Sequence, residues 1–105
     1  TLVFSVSQAI LCSLAGATYI SPFIGRMDDN SLKGLDLIGD IGTIYRKQQI
    51  KTQILAASVR DVQSVGRSFG LGADICTIPP KVFDSMASHV LTDKGLEQFN
   101  RDFLA

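Results

Sequence analysis

The chain has 105 residues, which is room for one domain. Hydrophobic residues make up 46% of it and charged residues 19%, an ordinary balance for a water-soluble globular protein. Ten basic side chains cancel ten acidic ones, which argues against a nucleic-acid or anionic-membrane partner held by bulk charge, and no apolar window is long enough for a membrane span.

The opening run, TLVFSVSQAILCSLAGA, has no basic start and carries Ser and Gln among its apolar residues, so it does not read as a signal peptide. TLVFSV is rich in β-branched and apolar residues and gives a first strand over Leu2–Val6. There is no initiator methionine before it, as expected of a processed chain or of a piece of something larger. A short helix follows over Gln8–Ala15, closed by Gly16. A second strand over Thr18–Phe23 runs into a polar loop, GRMDDNSLKG. A helix over about Gly34–Gln49 then places Leu37, Ile38, Ile41, Ile44 and Tyr45 on one stripe.

The third strand is Gln53–Ala57, and the helix after it, Val62–Phe69, carries Val62, Val65 and Phe69 on one face before Gly70 and Gly72 break it. The fourth strand, Asp74–Ile78, meets Pro79-Pro80, which suits the first turn of a helix reaching about Ser88. A last helix starts after Thr92 as N-cap and lines up Leu96, Phe99 and Phe103. The units fall at about 1–16, 17–50, 51–72 and 73–90, with a terminal helix over 92–105.

Four βα units with strands apolar on both faces imply a parallel sheet covered by helices. AGATYI and LGADIC each end a helix and open a strand, as a repeated module would. Such a sheet can close as a small doubly wound domain or form half of an eight-stranded barrel. The polar residues favour the barrel, because they gather at the C-terminal ends of strands. Ser21 lies on the second strand and Arg26 in its loop, and Ser58 and Arg60 come just after the third. Neighbouring parallel strands lie about 4.8 Å apart, so if these two are neighbours Arg26 and Arg60 converge on a volume fit for one phosphate, with the Ser58 hydroxyl as a third donor. One arginine after a strand is ordinarily a solvated loop residue; two at equivalent positions point to an anion clamp.

Other polar residues carry less. Asp28 and Asp29 have no His or further carboxylate to complete a metal site and are expected to solvate the loop; no metal and no cofactor is implied. SFGLGAD precedes a strand and lacks the order of a dinucleotide fingerprint. His89 reads as a surface or capping residue, and Cys12 and Cys76 as buried thiols of a reducing cytoplasm.

Five blocks, TLVFSVSQA, GATYISPFIGRMDD, ILAASVR, GADICTIPPKV and LTDKGLEQF, resemble in order and spacing the C-terminal motifs of the transaldolase family, class I Schiff-base enzymes on a (β/α)8 barrel. The resemblance covers essentially the whole chain. It implies an α/β fold comprising strands five to eight of the barrel plus a terminal helix, and transfer of a dihydroxyacetone unit between sugar phosphates. By this resemblance Thr1 helps position the catalytic water, Ser21 lies below the substrate, and Phe23 stands where fructose 6-phosphate aldolases carry tyrosine. Arg26, Ser58 and Arg60 match the family's sugar-phosphate-binding residues.

The family's nucleophilic lysine belongs to the fourth strand, outside this chain, and the acidic residues of the first and third strands are outside it too. Among Lys33, Lys47, Lys51, Lys81 and Lys94 none falls in a strand, where a dry site could lower its pKa, so the chain alone is expected to be inactive. A half-barrel leaves two sheet edges and an inner wall bare. A missing N-terminal half or self-association into a homo-oligomer is therefore the expected partner, beside the sugar-phosphate substrate. A sister aldolase and a non-catalytic sugar-phosphate-binding half-barrel are the alternatives.

Overall fold

The computed structural model describes residues 1–105. In chain order the elements are α1 (Val6–Leu14), β1 (Tyr19–Ile20), α2 (Ile24–Asp29), α3 (Gly34–Lys47), β2 (Gln53–Ala56), α4 (Val62–Gly70), β3 (Ile75–Cys76), α5 (Pro80–Ser85) and α6 (Val90–Leu104). The strands are all parallel, in the order β1-β2-β3. Tyr19 pairs with Gln53 and Ile20 with Ile54, while Leu55 pairs with Ile75 and Ala56 with Cys76. Isolated bridges extend the ladder at Phe23–Ala57 and, on the outer edge of β1, at Val3–Pro22. Spatial order thus follows chain order, with no reversal of the kind that makes a doubly wound switch point.

The first strand is shorter than expected. Of Leu2–Val6 only Val3 pairs. Leu2 has φ 55, which takes the backbone out of the extended region. At the other end the Ser5 hydroxyl accepts from the Gln8 N–H at 3.1 Å, so helix α1 claims the chain from Val6 on.

Three helices turn into strands by one device. At the end of α1 the Gly16 N–H donates to the Ser13 carbonyl and the Ala17 N–H to Cys12. At the end of α4 Gly72 donates to Phe69 and Ala73 to Ser68. These are Schellman closures, with Gly16 and Gly72 at φ 83 and 117. The likeness of AGATYI to LGADIC is this shared geometry. Helix α3 ends the same way, Gln49 donating to Arg46 and Ile50 to Tyr45, but with a glutamine at φ 54.

Helices α1, α3 and α4 lie side by side on one face of the sheet. There Ile20, Ile54 and Ala56 pack with Leu37, Ile38, Ile41 and Tyr45, all buried. The Tyr45 hydroxyl donates to the Ala9 carbonyl at 2.6 Å and ties α3 to α1. On α4 the inward residues are Val65 and Ser68, whereas Val62 and Phe69 are 40% and 48% exposed. Ser68 is buried because its hydroxyl is satisfied by the Ser64 carbonyl one turn back, at 2.7 Å.

Helices cover one face of the sheet and leave the other open. Tyr19 and Gln53, paired on the face away from the helices, are exposed. Helix α6 begins at Val90, two residues before the expected Thr92 cap, because His89 Nδ1 accepts from the Leu91 N–H at 3.0 Å. No residue of α6 is buried, and Phe99 and Phe103 lie open. The radius of gyration is 17.7 Å, against about 13 Å for a compact chain of this length. No helix is long and apolar enough to cross a membrane.

Candidate functional site

The site forms where the tips of β1 and β2 meet. The expected polar loop after Phe23 is helix α2, and its formation has a local cause. A helix start leaves backbone N–H groups without partners; here Ile24 donates to the Ala57 carbonyl and Gly25 to the Ser58 carbonyl, both at 3.0 Å. The ladder between β1 and β2 continues straight into the helix.

Gly25 makes that approach possible. A Cβ on it would lie 2.2 Å from the Ser58 carbonyl oxygen and 2.7 Å from both Ser58 Oγ and Arg60 Nε. Ser58 itself has φ 58, a left-handed conformation that costs a non-glycine residue of order 1–3 kcal/mol and tends to occur at functional sites. The two features together fold the end of β2 over the start of α2 and bring Ser58 and Arg60 to one point.

Arg26, half a turn on in α2, sends its guanidinium over the Phe23 ring, 5.2 Å from the centroid. Phe23 in turn meets Phe4 from the edge of the sheet, ring centroids 6.2 Å apart. Ser21 lies two residues before Phe23, half-buried, and its carbonyl accepts from the Val3 N–H at 3.2 Å. Thr1 stands apart: it is exposed, ahead of the bend at Leu2, and makes no hydrogen bond to any of these residues.

The two aspartates do more than solvate a loop, which corrects that expectation. Asp29 holds the guanidinium of Arg60 through both carboxylate oxygens, Oδ1 to Nη1 and Oδ2 to Nη2, the latter at 2.7 Å. The hydrogen bonds from Arg60 hold the Asp29 carboxyl below the usual carboxylate range; partial desolvation opposes this, and the charges of Arg60 and Arg26 add to it. The same bonds raise Arg60. Asp28 Oδ1 accepts from the Gly34 N–H at 3.1 Å and so caps α3, where Lys33 supplies no side-chain cap. Gly25 and Asp29 are the site residues that hydrophobic periodicity and motif spacing passed over. The shortness of the link between Phe23 and Arg26 was the available signal for a close approach.

Beside Ser58 a hollow of about 240 Å³ opens between the ends of β2 and β3, lined by Ser58, Val59, Thr77, Ile78 and Pro79. A larger polar cleft lies behind α2, between the starts of α3 and α4, but Lys33 and Arg67 there face Asp28, Asp36 and Asp61. Its charges of both signs make it a poor anion site. None of the five lysines lies in a strand, and Lys81 is exposed in the first turn of α5. Cys12 and Cys76 are free, half-buried thiols rather than fully buried ones, and burial pushes Cys76 up.

Comparison with known proteins follows the same outline. The family model for transaldolase/fructose-6-phosphate aldolase matches residues 1–105. The chain is 56% identical over 103 residues to a probable transaldolase of Paracoccus denitrificans, covering 98% of this chain and 48% of that protein. It is 56% identical over 103 residues to one of Caulobacter vibrioides, covering 98% and 48%. It is 54% identical over 105 residues to one of Ruegeria sp., covering 100% and 48%. The chain spans about half the length of the curated relatives it matches.

Proposed function

The chain belongs to the transaldolase/fructose-6-phosphate aldolase family, and on that footing we propose that it supplies the phosphate-binding half of a transaldolase barrel. The observation that carries this reading is the gathering of Ser58 and Arg60 against Gly25, with Arg26 in the helix that follows β1, at the C-terminal edge of a parallel sheet. That edge is where barrels bind substrate, and two guanidinium groups with a hydroxyl suit a phosphate ester. Strands in chain order with helices on one face fit strands five to eight of a barrel; the bare face then lines its interior. The whole of residues 1–105, in the four βα units and terminal helix given above, acts as one unit.

In the complete barrel the reaction is transfer of a dihydroxyacetone unit from a ketose phosphate to an aldose phosphate. A lysine on a strand outside this chain forms the Schiff base with the ketose carbonyl. This chain holds the far end of the substrate: Arg26, Ser58 and Arg60 fix the phosphate, which orients the carbonyl toward the lysine. Ser21 and Phe23 line the sheet face beneath the sugar, and Thr1 positions the water that carries protons. Phe23 favours transfer over simple aldol cleavage of fructose 6-phosphate, because a ring without a hydroxyl cannot act as the assisting acid. Two free thiols fit a reducing cytoplasm, and the bare face and exposed α6 fit association with a second half or with further copies.

The test is complementation. The chain is co-expressed with the part of the Paracoccus denitrificans relative that it does not cover, and the mixture is assayed for transfer from fructose 6-phosphate and trapped with borohydride. Activity should need both pieces, and the reduced adduct should sit on the complementing piece. An adduct on this chain alone would overturn the proposal. A compact, cooperatively unfolding monomer of this chain would count against the half-barrel.

A further inference from the structure

From the way Arg60 is held, we infer that Asp29 is the positioning residue of the phosphate seat: its carboxylate fixes the outer fork of Arg60 so that the Nε edge stands beside the Ser58 hydroxyl to receive a phosphate group. This deepens the phosphate-binding reading above and rests on it. A guanidinium has five N–H donors. Asp29 takes one on each η nitrogen, and the Nε edge is left. Arg60 Nε and Ser58 Oγ each lie 2.7 Å from the same point above Gly25, so they are separated by no more than twice that distance. One phosphate group can bridge both. Arg26, on the same short helix as Asp29, lies over the Phe23 ring.

Asp29 thus answers a problem of mobility. Arg60 is 53% exposed, and a free arginine surrenders rotamer freedom when it binds. Held by two bonds from a helix whose first turn is itself pinned to β2, it surrenders less. Charge alone argues the opposite way. A carboxylate paired with the Arg60 guanidinium weakens its pull on an anion, so its removal would tighten binding if charge were all that mattered. The sign of the effect therefore decides.

Inorganic phosphate is titrated into the chain and its variants, with binding followed by phosphorus NMR and fold checked by circular dichroism. Asp29→Asn and Asp29→Ala should weaken phosphate roughly tenfold or more, as loss of an outer orienting partner does at metal ligands, and Asp29→Glu should recover part of it. Equal or tighter binding by Asp29→Asn overturns the inference. If Arg60→Ala binds phosphate like the unmodified chain, or if that chain binds none, the phosphate reading itself fails. Should the Asp29 variants lose helix, the Arg60 side-chain N–H signals are followed by nitrogen NMR in the unmodified chain. Under saturating phosphate the two η nitrogens should stay slow to rotate, as the fork held by Asp29 requires; free rotation means phosphate has displaced Asp29, which also overturns the inference.

Discussion

Replacing Gly25 with alanine adds one methyl group at the crossing of α2 and β2. Its carbon would sit 2.2 Å from the Ser58 carbonyl oxygen, where carbon and oxygen ordinarily come no closer than about 3.3 Å. The obstacle is backbone, so α2 must retreat by about 1 Å, and the 3.0 Å bonds from Ile24 and Gly25 to β2 stretch with it. Overpacking of this kind costs about 1–3 kcal/mol, and each weakened backbone bond up to about 1 kcal/mol more. Alanine's better helix propensity returns only about 0.5–1 kcal/mol. The expected net loss is up to about 4 kcal/mol, centred on about 2 kcal/mol, with phosphate binding lost as well. Urea denaturation followed by circular dichroism measures it. Gly66→Ala is the matched control: a Cβ there meets nothing within 4 Å, so that variant should gain about 0.5–1 kcal/mol. A Gly25→Ala chain as stable as its parent, binding phosphate unchanged, would refute the reasoning.

Tyr45→Phe deletes the bond to the Ala9 carbonyl and should cost about 1 kcal/mol in the same urea assay. Burial holds the Tyr45 phenol above its ordinary 10.0, with Cys12 adding to the effect. The unfolded chain therefore loses this proton first, so the contribution is whole below about pH 10 and fades as pH rises above it; the phenylalanine variant should lack that part of the alkaline decline. Gln49→Gly removes a side chain from a left-handed position and should stabilise by about 0.5–1 kcal/mol, read as a raised urea midpoint.

Most of the fold was legible because hydrophobic period and punctuation agree. Of the predicted stripe, Leu37, Ile38, Ile41 and Tyr45 are buried and Ile44 is half-buried, and Gly16 and Gly72 stand where helices end. The failures have physical causes. Helix α2 was hidden because its stabilising partners, the carbonyls of Ala57 and Ser58, are more than thirty residues away in sequence. The expected cap at Thr92 lies inside α6, because His89 already accepts from the Leu91 N–H through a ring nitrogen. At the site, the adjacency of the two strand tips followed from the βα order, and the strands carrying Arg26 and Arg60 are side by side. That Arg60 would be gripped by Asp29 could not follow, since an ion pair between loops leaves no period in a sequence.

Alternate residues of β1 and β2 leave the helical layer for the open side, and nothing within the chain sets their size or polarity. On that side the relief is graded, with Tyr19 and Gln53 exposed at one end and Leu55 half-buried nearer the tip. Under the half-barrel proposal, this relief is what a complementing half has to match, polar toward water and apolar at mid-height. A library of candidate counterparts could be sorted against that relief alone, before any chemistry is assayed.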